Sequence, residues 1–104
     1  MANNQIIAEI KRVVGSHLGE ADVMLFGSRA KGSFSDESDY DILIVTNDEY
    51  SVIQKIPLHT TVRKALLRSG IRSDILIQSR SEIEKKKKLP GHFIRNIMKE
   101  SILI

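Results

Sequence analysis

Two aspartates, Asp39 and Asp41, flank Tyr40 at the head of the apolar run "DYDILIV", and Gly27-Ser28 ends an earlier apolar run ten residues before them. In a strand, side chains alternate faces, so Asp39 and Asp41 are expected on one face, about 6.6 Å apart along the chain. Carboxylates held that close repel, and at least one is driven toward its neutral form unless a cation lies between them. Hard oxygen ligands suit magnesium, and such a pair can bridge two ions about 3.5 to 4 Å apart. Asp74 opens a further apolar segment, "SDILIQ", and reaches the same space if that segment is a neighbouring strand. Gly27 lets the backbone turn tightly, and Ser28 sets a hydroxyl beside exposed amides, a combination that cradles phosphate oxygens. Arg29 and Lys31 add positive charge nearby. Phosphate contacts on one side and magnesium ligands on the other describe a site for a nucleoside triphosphate.

Each residue also has a plain structural reading. Gly27-Ser28 alone reads as an ordinary strand-to-helix turn. Asp39 can be a loop or cap carboxylate, and Asp74 a tolerated acid at a strand start. The combination favours a site, because Asp41 inside an apolar strand is hard to keep without a charged or hydrogen-bonded partner. Arg29 and Lys31 divide between ligand contacts and a solvated helix face. His17, His59 and His92 have no metal-ligand spacing to one another, and Tyr40 is expected on the far face of the sheet.

The elements that must hold these residues alternate in period. Residues 3–18 carry Ile6, Ile7, Ile10, Val13, Val14 and Leu18 at helical spacing, which predicts an amphipathic helix. Residues 22–26 and 40–45 predict buried strands, the second central, and 73–78 a third. A helix is expected over residues 58–69, with Pro57 at its start and Gly70 as its cap. Ser81 and Glu84 have capping-box spacing, opening a lysine-rich helix that stops at Pro90-Gly91. A last helix over residues 91–100 and a closing edge strand at "ILI" complete an α/β (α+β) fold: a mixed sheet of three to four strands flanked by helices.

Composition limits the classes available. A chain of 104 residues with 41% hydrophobic residues is enough for one domain, 1–104. A net charge of +3 suits a polyanionic ligand without requiring one. With no cysteine, disulfides and thiolate metal sites are excluded. No apolar run is long enough for a membrane helix and "MANNQ" lacks a signal-peptide core, so a soluble, cytoplasmic protein is expected. Lys85 to Lys88 read as a solvent-facing surface. Their use on nucleic acid is disfavoured, since the five aromatics, Phe26, Phe34, Tyr40, Tyr50 and Phe93, are not interleaved with basic residues.

Gly27-Ser28, ten residues, then Asp39-Tyr40-Asp41 resembles the signature of the nucleotidyltransferase superfamily, with Asp74 in the place of its third acid. The chain's size, short linkers and ending, "GHFIRNIMKESILI", are similar to the minimal nucleotidyltransferases over nearly the whole length. That resemblance implies two magnesium ions held by Asp39, Asp41 and Asp74, with ATP as substrate. Gly27, Ser28 and Arg29 would grip its phosphates, Ser38 would add a phosphate or metal-water contact, and Asp74 would accept the acceptor's proton. It also implies AMP transfer to a hydroxyl of a HEPN-domain partner protein, the chain serving as antitoxin, in a homo- or hetero-oligomer. Transfer to an aminoglycoside-type small molecule and a binding-only antitoxin are the alternatives. The end at Ile104, within an edge strand, is expected either to fall slightly short of relatives or to leave an edge that a partner completes.

Overall fold

The computed structural model describes residues 4–32 and 38–104. The start of the first predicted helix at residue 3, Phe34, and much of the spacer between Ser28 and Asp39 lie outside the described residues. The chain runs α1 (Asn4–Leu18), β1 (Ala21–Phe26), α2 (Gly27–Lys31), β2 (Tyr40–Thr46), α3 (Val52–Arg68), β3 (Ser73–Ser79), α4 (Arg80–Lys86), α5 (Phe93–Glu100) and β4 (Ile102–Leu103). One mixed sheet has the order β3-β2-β1-β4, with β2 parallel to β3 and β1 antiparallel to both of its neighbours. This is the mixed α+β fold expected.

Strand alternation builds a core on each face. Val23, Leu25, Tyr40, Ile42, Ile44, Ile75 and Ile77 meet Ile10, Val13 and Val14 of α1 and Val62 and Leu66 of α3. On the other face Leu43 and Val45 pack with Ile83 of α4 and Ile94 of α5. Ile42, Leu43 and Ile44 are each 0% exposed, which makes β2 the central strand the apolar run predicted. Burying such a side chain contributes about 1.5 to 3 kcal/mol, so β2 is held from both sides at high energy. Tyr40 is buried in the first core, on the face away from Asp41, as expected.

Three boundaries differ from the sequence reading. Helix α3 begins at Val52, not at Leu58, because Ser51 and Gln54 form a reciprocal capping box and Pro57 lies inside the helix. Helix α4 is likewise capped by Ser79 and Glu82, two residues before the expected Ser81 and Glu84, and it ends at Lys86, ahead of Pro90-Gly91. Helix α5 starts at Phe93, where the Nδ1 of His92 accepts from the Ile94 amide at 3.1 Å.

Candidate active site

Asp41 is the second residue of β2, and the register places Phe26 beside it on one side and Asp74 on the other. Directly paired residues on parallel strands point to the same face, so the carboxylates of Asp41 and Asp74 stand side by side. Phe26 leads straight into α2, and this turns Gly27 over Asp41. The Gly27 backbone, at φ +69°, passes so close that a Cβ there would lie 2.1 Å from Asp41 Oδ2. No other residue type fits that approach without moving the carboxylate.

Asp39 precedes β2 by one residue and lies exposed, where the Arg72 Nε approaches Asp39 Oδ1 at 3.5 Å. The pair is solvent-facing, so it holds Asp39 only weakly. Burial pushes the Asp41 carboxyl above its ordinary range, and the charges of Asp74 and then Asp39 push it in the same direction. Asp74 and Asp39 thus both act electrostatically on Asp41. Their convergence is looser than the sequence reading required: among the described residues, no three His, Cys, Asp or Glu side chains are grouped closely enough to hold a metal ion. Asp41 and Asp74 alone supply a side-by-side pair. A half-buried carboxylate raised by burial and by two neighbouring carboxylates fits a hard divalent cation in donor chemistry.

Ser28 is the second residue of α2, half-buried beside Gly27. The structure turns Arg29 inward: it is 8% exposed, and its guanidinium lies 4.2 Å from the Tyr40 ring centroid. Its Nε and Nη2 donate to the Ser38 carbonyl at 3.3 and 2.9 Å. Arg29 thus ties α2 to the entry of β2, and Ser38 takes part through its backbone. Lys31 is exposed, with Nζ 3.4 Å from Glu100 of α5. The lysine stretch is mixed, since Lys86 Nζ donates to Gln78 at 2.7 Å while Lys85 and Lys88 are exposed.

The sequence reading did not find a cleft of about 530 Å³ on the β3 side of the acids, which Asp39, Asp74, His59, Arg63, Leu67 and Arg72 help to line. His59, Arg63 and Leu67 recur every four residues on α3, a spacing that reads as an ordinary helix stripe until α3 packs on β3. Burial pushes the His59 imidazole down from its ordinary value, and the Lys55 charge adds to the effect.

Residues 8–104 match the model of the family "Polymerase beta, Nucleotidyltransferase". Two proteins of Methanocaldococcus jannaschii, each named "putative protein adenylyltransferase", are similar to the chain. One is 36% identical over 78 residues, covering 75% of this chain and 71% of its own, and the other 33% identical over 95 residues, covering 89% of each. Among solved structures, one described as a "putative minimal nucleotidyltransferase" superposes with a TM-score of 0.63 at 21% identity, over 100% of this chain and 97% of its own. A toxin-antitoxin crystal structure with AMP-PNP has the same fold, with a TM-score of 0.63 at 16% identity over 92% of this chain and 69% of that one. A structure from Sulfolobus solfataricus described as a "putative nucleotidyltransferase" follows at 26% identity and a TM-score of 0.53, over 95% and 76% of the two chains. With the family model spanning nearly all of the chain, and Asp74 of β3 level with Asp41 of β2 under the glycine turn, the chain belongs to the polymerase beta type of nucleotidyltransferases.

Proposed function

We propose that this chain, acting as one domain over 1–104, transfers AMP from ATP to a hydroxyl of a partner protein. In this reading it is the cytoplasmic antitoxin of a pair whose other member carries a HEPN domain. The juxtaposition of Gly27, Asp41 and Asp74 supports the reading most strongly, since it sets a backbone able to approach a triphosphate against two side-by-side carboxylates, of which Asp41 is raised by burial and by its acidic neighbours. The relatives named as protein adenylyltransferases, and the similarity to a toxin-antitoxin structure with AMP-PNP, support the choice of nucleotide and of a protein acceptor.

Ser28 and the Gly27 to Arg29 backbone face the β- and γ-phosphates, with Ser38 at the entry of β2 completing that side. Asp39, Asp41 and Asp74 would hold two magnesium ions, which when bound neutralise the acids and the triphosphate oxygens. The acceptor oxygen bonds to the α-phosphorus, the bond from that phosphorus to the bridging oxygen breaks, and pyrophosphate leaves with the electron pair. The acceptor's proton passes to the Asp74 carboxylate. Positioning and charge compensation carry most of the rate, because little other covalent work falls to the protein.

Incubation of the chain with α-labelled ATP, magnesium and a HEPN-domain protein encoded beside it should label that protein. The Asp39→Ala, Asp41→Ala double variant should lower the labelling by about a thousandfold or more. Labelling at the wild-type rate by the double variant would remove the acids from the chemistry. Full neutralisation of the partner by that unlabelling variant would favour inhibition by occlusion.

A further inference from the structure

The acids have two sides. Gly27, Ser28 and Asp41 lie on one, and none of them lines the cleft of about 530 Å³ that Asp39 and Asp74 share on the other. A ligand in that cleft meets Asp74 without crossing the glycine turn. Its remaining charge is basic: Arg63 and Arg72 face it, and α3, which forms one wall, carries Lys55, Arg63, Lys64 and Arg68 with no acidic residue along its length. Lys55 is committed to Glu82 at 2.8 Å, whereas Arg63 and Lys64 are exposed. The cleft has an apolar side as well, where Leu67 is 52% exposed above Ile71 and Ile75.

We infer that this cleft between α3 and β3 is the docking site for the acceptor, and that its occupant is a short acidic polypeptide segment. Carboxylates of the segment sit on Arg63 and Arg72, and an apolar side chain next to the acceptor hydroxyl packs on Leu67 and Ile71. The inference rests on the nucleotidyl-transfer reading, which assigns Asp39 and Asp74 to cations, so that Arg63 and Arg72, the latter 3.5 Å from Asp39 in this structure, set the remaining charge of the lining. Nucleic acid fits less well, because among the described residues the lining contains no Phe, Tyr or Trp on which bases could stack. The His59 imidazole adds a hydrogen-bonding group to the same α3 stripe.

The test measures fluorescence anisotropy with the full chain, magnesium and a non-hydrolysable ATP analogue. The probes are a labelled peptide with glutamates on both sides of a central tyrosine, its glutamine twin, and a single-stranded oligonucleotide of similar length. The acidic peptide should bind at least about tenfold more tightly than its twin, and Arg63→Glu should weaken it by about tenfold or more while Arg63→Lys weakens it less. The melting temperature and the affinity for a fluorescent triphosphate should be unchanged by Arg63→Glu. Equal binding of the two peptides, no peptide binding, indifference to Arg63→Glu, or tighter binding of the oligonucleotide would each overturn the assignment. Loss of triphosphate affinity in a folded Arg63→Glu protein would overturn it too, by giving the cleft to the nucleotide. Full transfer activity in Asp41→Asn would instead sink the catalytic reading, and it leaves the peptide comparison independently readable.

Discussion

Gly27 and Asp41 constrain each other. The carboxylate occupies the space a side chain at residue 27 would need, and the backbone there has a left-handed φ of +69° that alanine adopts only at a cost of about 1 to 2 kcal/mol. Gly27→Ala therefore carries two penalties, backbone strain and displacement of Asp41, and a double-mutant cycle separates them. Chemical denaturation should show Gly27→Ala losing about 2 to 3 kcal/mol in the wild-type background and only about 1 to 2 kcal/mol beside Asp41→Ala. Identical losses in both backgrounds would mean that the close approach carries no energy. Arg29 shows the limit of reading single residues: its position next to Ser28 suggested a phosphate contact. The fold gives its guanidinium to the Ser38 carbonyl and the Tyr40 ring, partners on the far side of the spacer that no local spacing announces.

At the scale of elements, the strands were legible because period and composition agree. Three apolar runs flanked by polar residues became β1, β2 and β3 within one residue at each end. Helix starts were less legible, since a capping box is decided by which serine faces the free amides. Ser79 ends β3 and turns directly into α4, so its Oγ accepts from the Glu82 amide at 3.1 Å, and Glu82 returns a contact to the Ser79 amide at 2.9 Å. Burial raises the Glu82 carboxyl, yet the hydrogen bonds from Lys55 and the Ser79 amide outweigh it and leave the group below its ordinary value. Its contribution to stability is thus present above the ordinary glutamate range and is lost as the pH falls through the lowered value. Ser79→Ala should lower the unfolding free energy by about 1 kcal/mol, and Ser81→Ala by no more than about 0.5 kcal/mol. The reverse order in a urea titration would restore the capping register first read from Ser81 and Glu84. Pro57 misled for a related reason: it is favoured at helix starts, but here Ser51 and Gln54 had already begun the helix, leaving Val52, Ile53 and Ile56 exposed and the apolar period broken.

For the molecule as a whole, the sheet order is what turns scattered acids into a site. Asp74 was assigned from its place at a strand start and from the resemblance, and only the parallel pairing of β2 with β3 brings it level with Asp41. The placement of Asp39 and Asp41 at the head of β2 was legible from spacing, whereas the cleft beyond them was not, because α3 and β3 form it jointly. Among the described residues, no helix is long and apolar enough to cross a membrane. The same sheet order makes the site a source of instability, since it crowds like charges around Asp41 in a half-buried position.

That instability provides the most direct test. Burial, Asp74 and Asp39 all raise the Asp41 carboxyl, so the associated stability is complete below the ordinary aspartate range and is lost as the pH rises through the raised value. Thermal melting of wild type and Asp41→Asn should be followed at neutral pH, first with a chelator and then with magnesium and a non-hydrolysable ATP analogue. With the chelator, Asp41→Asn should melt above wild type, and the gap should close at acidic pH. With magnesium and the analogue, wild type should rise and Asp41→Asn should not. An Asp41→Asn protein that melts lower in chelator, or that gains as much as wild type from magnesium and the analogue, would contradict a cation-binding role for the acids.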